Sequence, residues 1–165
     1  MNAAILCVGS LKEKYFTDAC NEYLKRLTRY GSFELKQVPD LKIADKSGVG
    51  GADGLTALER DVVRREGESL LKQIRRDDYV VALAIDGKQL SSTELADKCA
   101  DWRMNGRRTV FVIGGSLGLS PEVLARADYK LSFSKMTFPH QLMRVILLEQ
   151  VYRAMTILSG EKYHK

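Results

Sequence analysis

Thr109–Ser134, TVFVIGGSLGLSPEVLARADYKLSFS, contains a complete strand–turn–helix–strand unit. Thr109–Ile113 is a continuous apolar run of β-branched and aromatic residues, the pattern of a strand covered on both faces. Gly114-Gly115 ends it. Ser120-Pro121-Glu122 is a helix cap with proline at the first helical position, opening a short helix that ends near Ala127. Tyr129–Ser134 is the next strand. Strands joined through helices build a parallel sheet with helices packed on its faces.

The flanking sequence repeats this alternation. Ala3–Val8 is a short apolar run stopped by Gly9, which predicts a buried strand. Glu13–Tyr30 predicts a helix, because Tyr15, Ala19, Tyr23 and Leu27 recur every four residues and Gly31 follows as a stop. Phe33–Val38 alternates and ends at Pro39, a further strand. Thr56-x-x-Glu59 is a capping box opening a charged helix to about Arg76, and Ser91-x-x-Glu94 caps another to Met104. Between them, Tyr79–Ile85 is a second continuous apolar strand, turned by Asp86-Gly87. Pro39–Gly54 carries Gly48, Gly50, Gly51 and Gly54 and reads either as a lid over a site or as a tolerated surface insertion. Pro139 opens the last helix, which runs to about Leu158. Its apolar residues lie all round, so it needs cover on more than one side, and a partner subunit is a natural source. The expectation is one α/β domain, residues 1–165, with a mostly parallel sheet of about five strands.

Composition narrows the function. At 165 residues, 45% hydrophobic and 28% charged, the chain is neither disordered nor a large multidomain enzyme. It has no run of about 18 apolar residues to span a membrane, and Met1–Gly9 lacks the basic start of a signal peptide. Cys7, Cys20 and Cys99 are odd in number and widely spaced, which suits reduced thiols of a cytoplasmic protein. With two histidines and no C-x-x-C pair, no metal site is expected. The net charge is +5, and residues 124–165 hold seven cations against three anions. Such a local field suits a polyanion such as RNA, or simply keeps the domain soluble.

The motifs sort as follows. No G-x-G-x-x-G follows the first strand and no Walker A sequence occurs, so dinucleotide binding and P-loop hydrolysis lose their main support. Gly114-Gly115-Ser116-Leu117-Gly118 fits the G-x-S-x-G nucleophile elbow, and Asp128 and His140 follow in hydrolase order. The helix cap, however, comes four residues after Ser116, too late for an elbow. The simpler reading is a glycine turn at the carboxyl end of a parallel strand, where open α/β sheets bind ligands. Leu131–Arg144, LSFSKMTFPHQLMR, leads from a strand through a proline-ended loop into a helix. His140 and Arg144 lie four apart near that helix's positive N-terminus, a setting that stabilises an anionic group. The plainer alternatives are a capping histidine and a surface salt bridge. Glu149 and Arg153 read as a structural pair. The tail Gly160–Lys165 holds Lys162, Tyr163, His164 and Lys165. That composition suits base stacking and phosphate contact, or an ordinary solvated tail.

Together, Val110–Lys165 and Ile5–Leu27 resemble the ribosomal RNA large-subunit methyltransferase H family of the SPOUT class. The IGG, FSKMTFPH and C-terminal YHK elements are the specific ones, and Ala44–Gly54 matches least. The resemblance implies a trefoil knot near the C-terminus, in a cofactor region of about residues 108–158 with a functional tail at 159–165. It implies S-adenosylmethionine as methyl donor, with cofactor positions on Leu83, Gly114 and Gly115, and on Phe133, Ser134, Lys135, Met136, Thr137 and Phe138. It implies methylation of N3 of a pseudouridine in a hairpin loop of large-subunit rRNA on the assembled ribosome. It also implies a homodimer whose tails reach the partner's pocket. His140, Arg144, Tyr163 and His164 are then the candidates for substrate positioning and catalysis. Action on another RNA, or a non-catalytic RNA-binding ribosome factor, are the alternatives.

Overall fold

The computed structural model describes residues 1–43, 51, 52 and 54–163. Residues 44–50 and 53 of the expected glycine-rich loop, and His164 and Lys165 of the tail, lie outside the described residues. In chain order the elements are β1 (Asn2–Val8), α1 (Lys14–Leu27), β2 (Ser32–Val38), α2 (Ala57–Leu71), β3 (Tyr79–Gln89), α3 (Ser92–Met104), β4 (Thr109–Ile113), α4 (Pro121–Arg126), β5 (Tyr129–Ser132) and α5 (His140–Leu158). A short 3-10 turn, Thr28–Tyr30, follows α1. The five strands form one sheet in the order β2-β1-β4-β3-β5, and every pairing is parallel.

Helices cover both faces, and the strand sequences show why. Successive side chains of a strand point to opposite sides. Ala3, Ile5 and Cys7 of β1, with Phe111 and Ile113 of β4, enter one core with α1, α3 and α5. Ala4, Leu6 and Val8, with Val110 and Val112, enter a second core with Leu70 of α2 and Val123 of α4. Both faces are dry, so the strands read as unbroken apolar runs. Trp102 of α3 anchors the first core, with its ring 5.8 Å from that of Phe111 and 5.6 Å from that of Tyr129. Cys7, Cys20 and Cys99 are all buried, and burial pushes the Cys7 and Cys99 thiols up to about 12.

Several boundaries differ from the sequence expectations. Asp86-Gly87 does not turn the chain. β3 continues to Gln89 and bulges between Leu83 and Lys88, where its register on β5 shifts. Gly87 passes so close to β5 that a Cβ there would sit 2.7 Å from the Leu131 carbonyl carbon, so the glycine marks a bulge. α2 stops at Leu71, because the backbone beyond it is drawn into a turn in which Arg75 N–H donates to Asp78 at 2.7 Å. β5 ends at Ser132, and residues from Phe133 to Pro139 form a loop. Part of the cover that α5 needs comes from its own chain, and Leu142, Val145, Ile146 and Ile157 stay half-buried. α5 packs against α1, α3 and the sheet, and no residue from Gln141 to Leu158 is exposed.

Candidate active site

A cavity of about 770 Å³ opens at the carboxyl end of the sheet. This is the size range of small-molecule sites. Its walls are β3 where its bulge begins (Leu83, Ala84, Ile85), the turn after β4 (Gly114–Leu119), the loop after β5, and the first turn of α5. Of the nine cofactor positions expected from sequence, eight line it: Leu83, Gly114, Gly115, Phe133, Ser134, Met136, Thr137 and Phe138. Lys135 is the exception. It sits in the same loop but is exposed and is not among the lining residues. The structure adds Leu55 and Ile85 to the walls, which no sequence motif indicated.

The glycine turn is shaped by its own backbone. Gly118 N–H donates to the Gly115 carbonyl at 3.1 Å. A Cβ on Gly114 would sit 2.5 Å from the Gly118 oxygen. A Cβ on Gly115 would sit 2.9 Å from a carboxylate oxygen of Glu66. Glycine is therefore required here by close approach, and the strand is followed by bare backbone facing the cavity. The opposite wall is stiffened by hydroxyls. Ser132 Oγ donates to the Ser134 carbonyl at 3.1 Å, and Ser134 Oγ accepts from Met136 N–H at 2.9 Å.

His140 lines the cavity and is half-buried. Burial and the Arg144 guanidinium hold its pKa below the usual 6.5, against the opposing pull of Asp40. It is therefore neutral at physiological pH and able to accept a proton. Arg144 does not line the cavity. It is fully buried one turn along α5, where Nη2 donates to the Val8 carbonyl at 2.6 Å. Its Nε and Nη1 have no hydrogen-bond partner among the described residues. The surface salt-bridge reading of Arg144 is thus excluded. Glu66, unmarked in the sequence, is 5% exposed behind the glycine turn and accepts from Leu41 N–H at 3.0 Å, and burial raises its pKa.

Tyr163 lies elsewhere. Its ring packs 4.9 Å from that of Tyr152, Arg153 stacks on it at 4.8 Å, and its hydroxyl donates to Glu149 at 3.2 Å. Glu149 and Arg153 do form the structural pair expected. Tyr152 is twelve residues beyond His140 on α5, about 18 Å along the helix axis, so Tyr163 is far from its own chain's cavity. Ser116 and His140 share the cavity, but Asp128 sits at the opposite end of the sheet. There its carboxylate accepts from Val80 N–H at 2.8 Å and from Arg126 at 3.2 Å. The hydrolase triad is not assembled. Among the described residues, no group of His, Cys, Asp and Glu is placed to hold a metal ion, and no helix is long and apolar enough to cross a membrane.

Parallel strands, a glycine turn and a preformed cavity at their carboxyl ends define an α/β enzyme that binds its ligand against backbone. The family described as a predicted SPOUT methyltransferase matches residues 1–164, and the chain belongs to this family of enzymes. Among similar proteins is the ribosomal RNA large subunit methyltransferase H of Alkaliphilus oremlandii, 51% identical over 100% of both chains. Those of Bifidobacterium adolescentis and Clostridioides difficile are 52% and 49% identical, again over 100% of both chains. A solved structure, of a probable methylase family protein from Haemophilus influenzae, has a TM-score of 0.54 at 15% identity. It covers 99% of this chain and 70% of that one, a likeness of fold. Family membership sets aside the serine hydrolase and the non-catalytic binder.

Proposed function

We propose that this protein is an S-adenosylmethionine-dependent methyltransferase of large-subunit ribosomal RNA, acting in the cytoplasm on N3 of a pseudouridine in a hairpin loop. The observation that carries the reading is the single cavity joining the glycine turn, the loop after β5 and His140. The relatives' names supply the class of substrate.

The cavity fits a cationic ligand with an aromatic base. Among the described residues its lining includes no lysine or arginine: Lys135 is exposed outside the lining and Arg144 lies beneath the wall. His140 is neutral, so no positive side chain of the described residues lining the cavity opposes a sulfonium. Leu83, Leu131, Phe133 and Phe138 give an apolar slot, and Gly114 and Gly115 bring backbone groups to its edge. Bound there, S-adenosylmethionine supplies a methyl group activated by the adjacent sulfonium. The chain's residues handle the acceptor. An imide nitrogen attacks only after losing its proton. His140 accepts that proton, and the buried Arg144 charge favours the anionic base while keeping His140 neutral.

Tyr163 and the tail belong to a shared site in this reading. Tyr163 packs far from its own chain's cavity, so in this reading the tail serves the cavity of a second copy in a homodimer. The order β4-β3-β5, with the 114–119 turn and the 133–139 loop around one cavity, suits the trefoil knot of the SPOUT class. Cofactor titration tests the assignment. Gly114→Ala forces a Cβ against the Gly118 backbone, which cannot yield cheaply, and should weaken S-adenosylmethionine binding at least about tenfold while the protein stays folded. Unchanged affinity in the folded variant would remove the glycine turn from the cofactor site.

A further inference from the structure

The end of the sheet opposite the cavity is built from arginines. The turn from Lys72 to Asp78, between α2 and β3, meets Asn105–Arg108 before β4 and Arg126 at the end of α4. Arg107 donates through Nε to the Asp77 carbonyl at 2.7 Å and through Nη2 to the Asp78 carbonyl at 2.5 Å. Its guanidinium lies 5.4 Å from the centre of the Tyr79 ring. Arg126 Nη2 donates to the carbonyls of Asp78 at 2.9 Å and Arg75 at 3.2 Å. Arg108 forks onto the buried Asp78 carboxylate at 2.9 and 2.5 Å. Three guanidiniums thus fix the turn's backbone and neutralise its buried acid. The neighbouring acids are paired as well: Asp128 with Arg126, and Glu34 with Arg108 and Lys36.

Beyond this inner set, a second set of cations faces water. Lys72, Arg75 and Arg76 are exposed, and the only exposed acid of the turn is Asp77. The guanidiniums of Arg75 and Arg76 have no ion-pair partner within 4 Å among the described residues. Apart from the pull of the Arg75 charge on Asp78, these side chains hold nothing in place, yet the fold holds their backbone from three sides. Cations on a rigid support lose little freedom when they meet a phosphate. An RNA substrate held in the cavity is the polyanion closest at hand, and a second contact on the same molecule forms at high effective concentration.

We infer that this edge, centred on Arg75 and Arg76, is a second RNA contact that binds backbone phosphates of the RNA whose target base enters the cavity. The inference rests on the reading of the substrate under Proposed function. The two contacts stand at opposite ends of β4, whose five residues alone span about 17 Å.

The test is steady-state methylation of unmodified large ribosomal subunits by wild type and by the Arg75→Ala/Arg76→Ala double variant, across a salt series. The expected result is a KM for subunits raised about fivefold or more, with kcat, melting temperature and cofactor affinity unchanged. The salt dependence of binding becomes shallower by about one per lost phosphate contact. A double variant with wild-type KM and salt dependence overturns the inference, leaving the arginines as solvated surface. A wild type that leaves the RNA unmethylated overturns the reading of the substrate, and this contact with it.

Discussion

His140 shows how a residue's chemistry is set by its surroundings. Its spacing from Arg144 places both on one helix face, and that much is legible in the sequence. The depth of Arg144 is not, because the end of β1 that receives it is over a hundred residues away in the chain. The consequence is a sign. The neutral imidazole is the working form, and its pKa is lowered from 6.5 by burial and then by Arg144. Activity should be level at neutral pH and fall only as the pH drops through a value below 6.5. His140→Gln should lower kcat by on the order of a hundredfold and abolish that acidic limb. A pH–rate profile of the variant that keeps the limb and the rate would remove His140 from the proton transfer.

Among the elements, β1 and β4 are readable almost to the residue, since both faces are buried and nothing polar interrupts them. β3 is not, because Asp86-Gly87 has the composition of a turn and only the approach of β5 makes it a bulge. The turn before β3 has its own energetics. Burial alone would raise the Asp78 pKa, but Arg108 and the Arg75 N–H outweigh it and hold the carboxyl below its usual 3.8. The stabilisation is therefore present above about pH 4 and is lost as the pH falls through the lowered value. Asp78→Asn strands Arg108 and should cost about 3–5 kcal/mol at neutral pH, with the gap to wild type closing in acid. Melting temperatures at pH 7 and pH 3 check this, and equal stability at pH 7 would contradict it. The tail is the element whose place was least legible. Its aromatic and basic composition fits an RNA contact, yet Tyr163 rests on Tyr152 and Arg153, because stacking there buries its ring. Deleting Tyr163–Lys165 should abolish methyl transfer while S-adenosylmethionine still binds. Methylation by the truncated protein at a comparable rate would rule out a shared tail.

Across the whole molecule, charge and chemistry divide between the two ends of the sheet. The carboxyl end holds the cavity, whose lining is mostly apolar and, among the described residues, free of lysine and arginine. The cationic excess read from residues 124–165 does not form one field there. Arg126 is at the opposite end, Arg144 is buried, and Arg153 is paired with Glu149. Position in the chain says little about position in space once β5 returns to lie beside β3. The α/β class, the parallel sheet and the glycine turn as a ligand site were recoverable from local patterns, and the walls at Leu83 and Phe133–Phe138 came from the family resemblance. The direction each cation faces was not, because tertiary contacts between distant segments set it. The most direct measurement is to incubate the protein with labelled S-adenosylmethionine and ribosomes lacking the modification, and to map the label. Label at N3 of a single pseudouridine in large-subunit rRNA is the predicted result. Unlabelled RNA, or label spread over other positions, would contradict the proposed function.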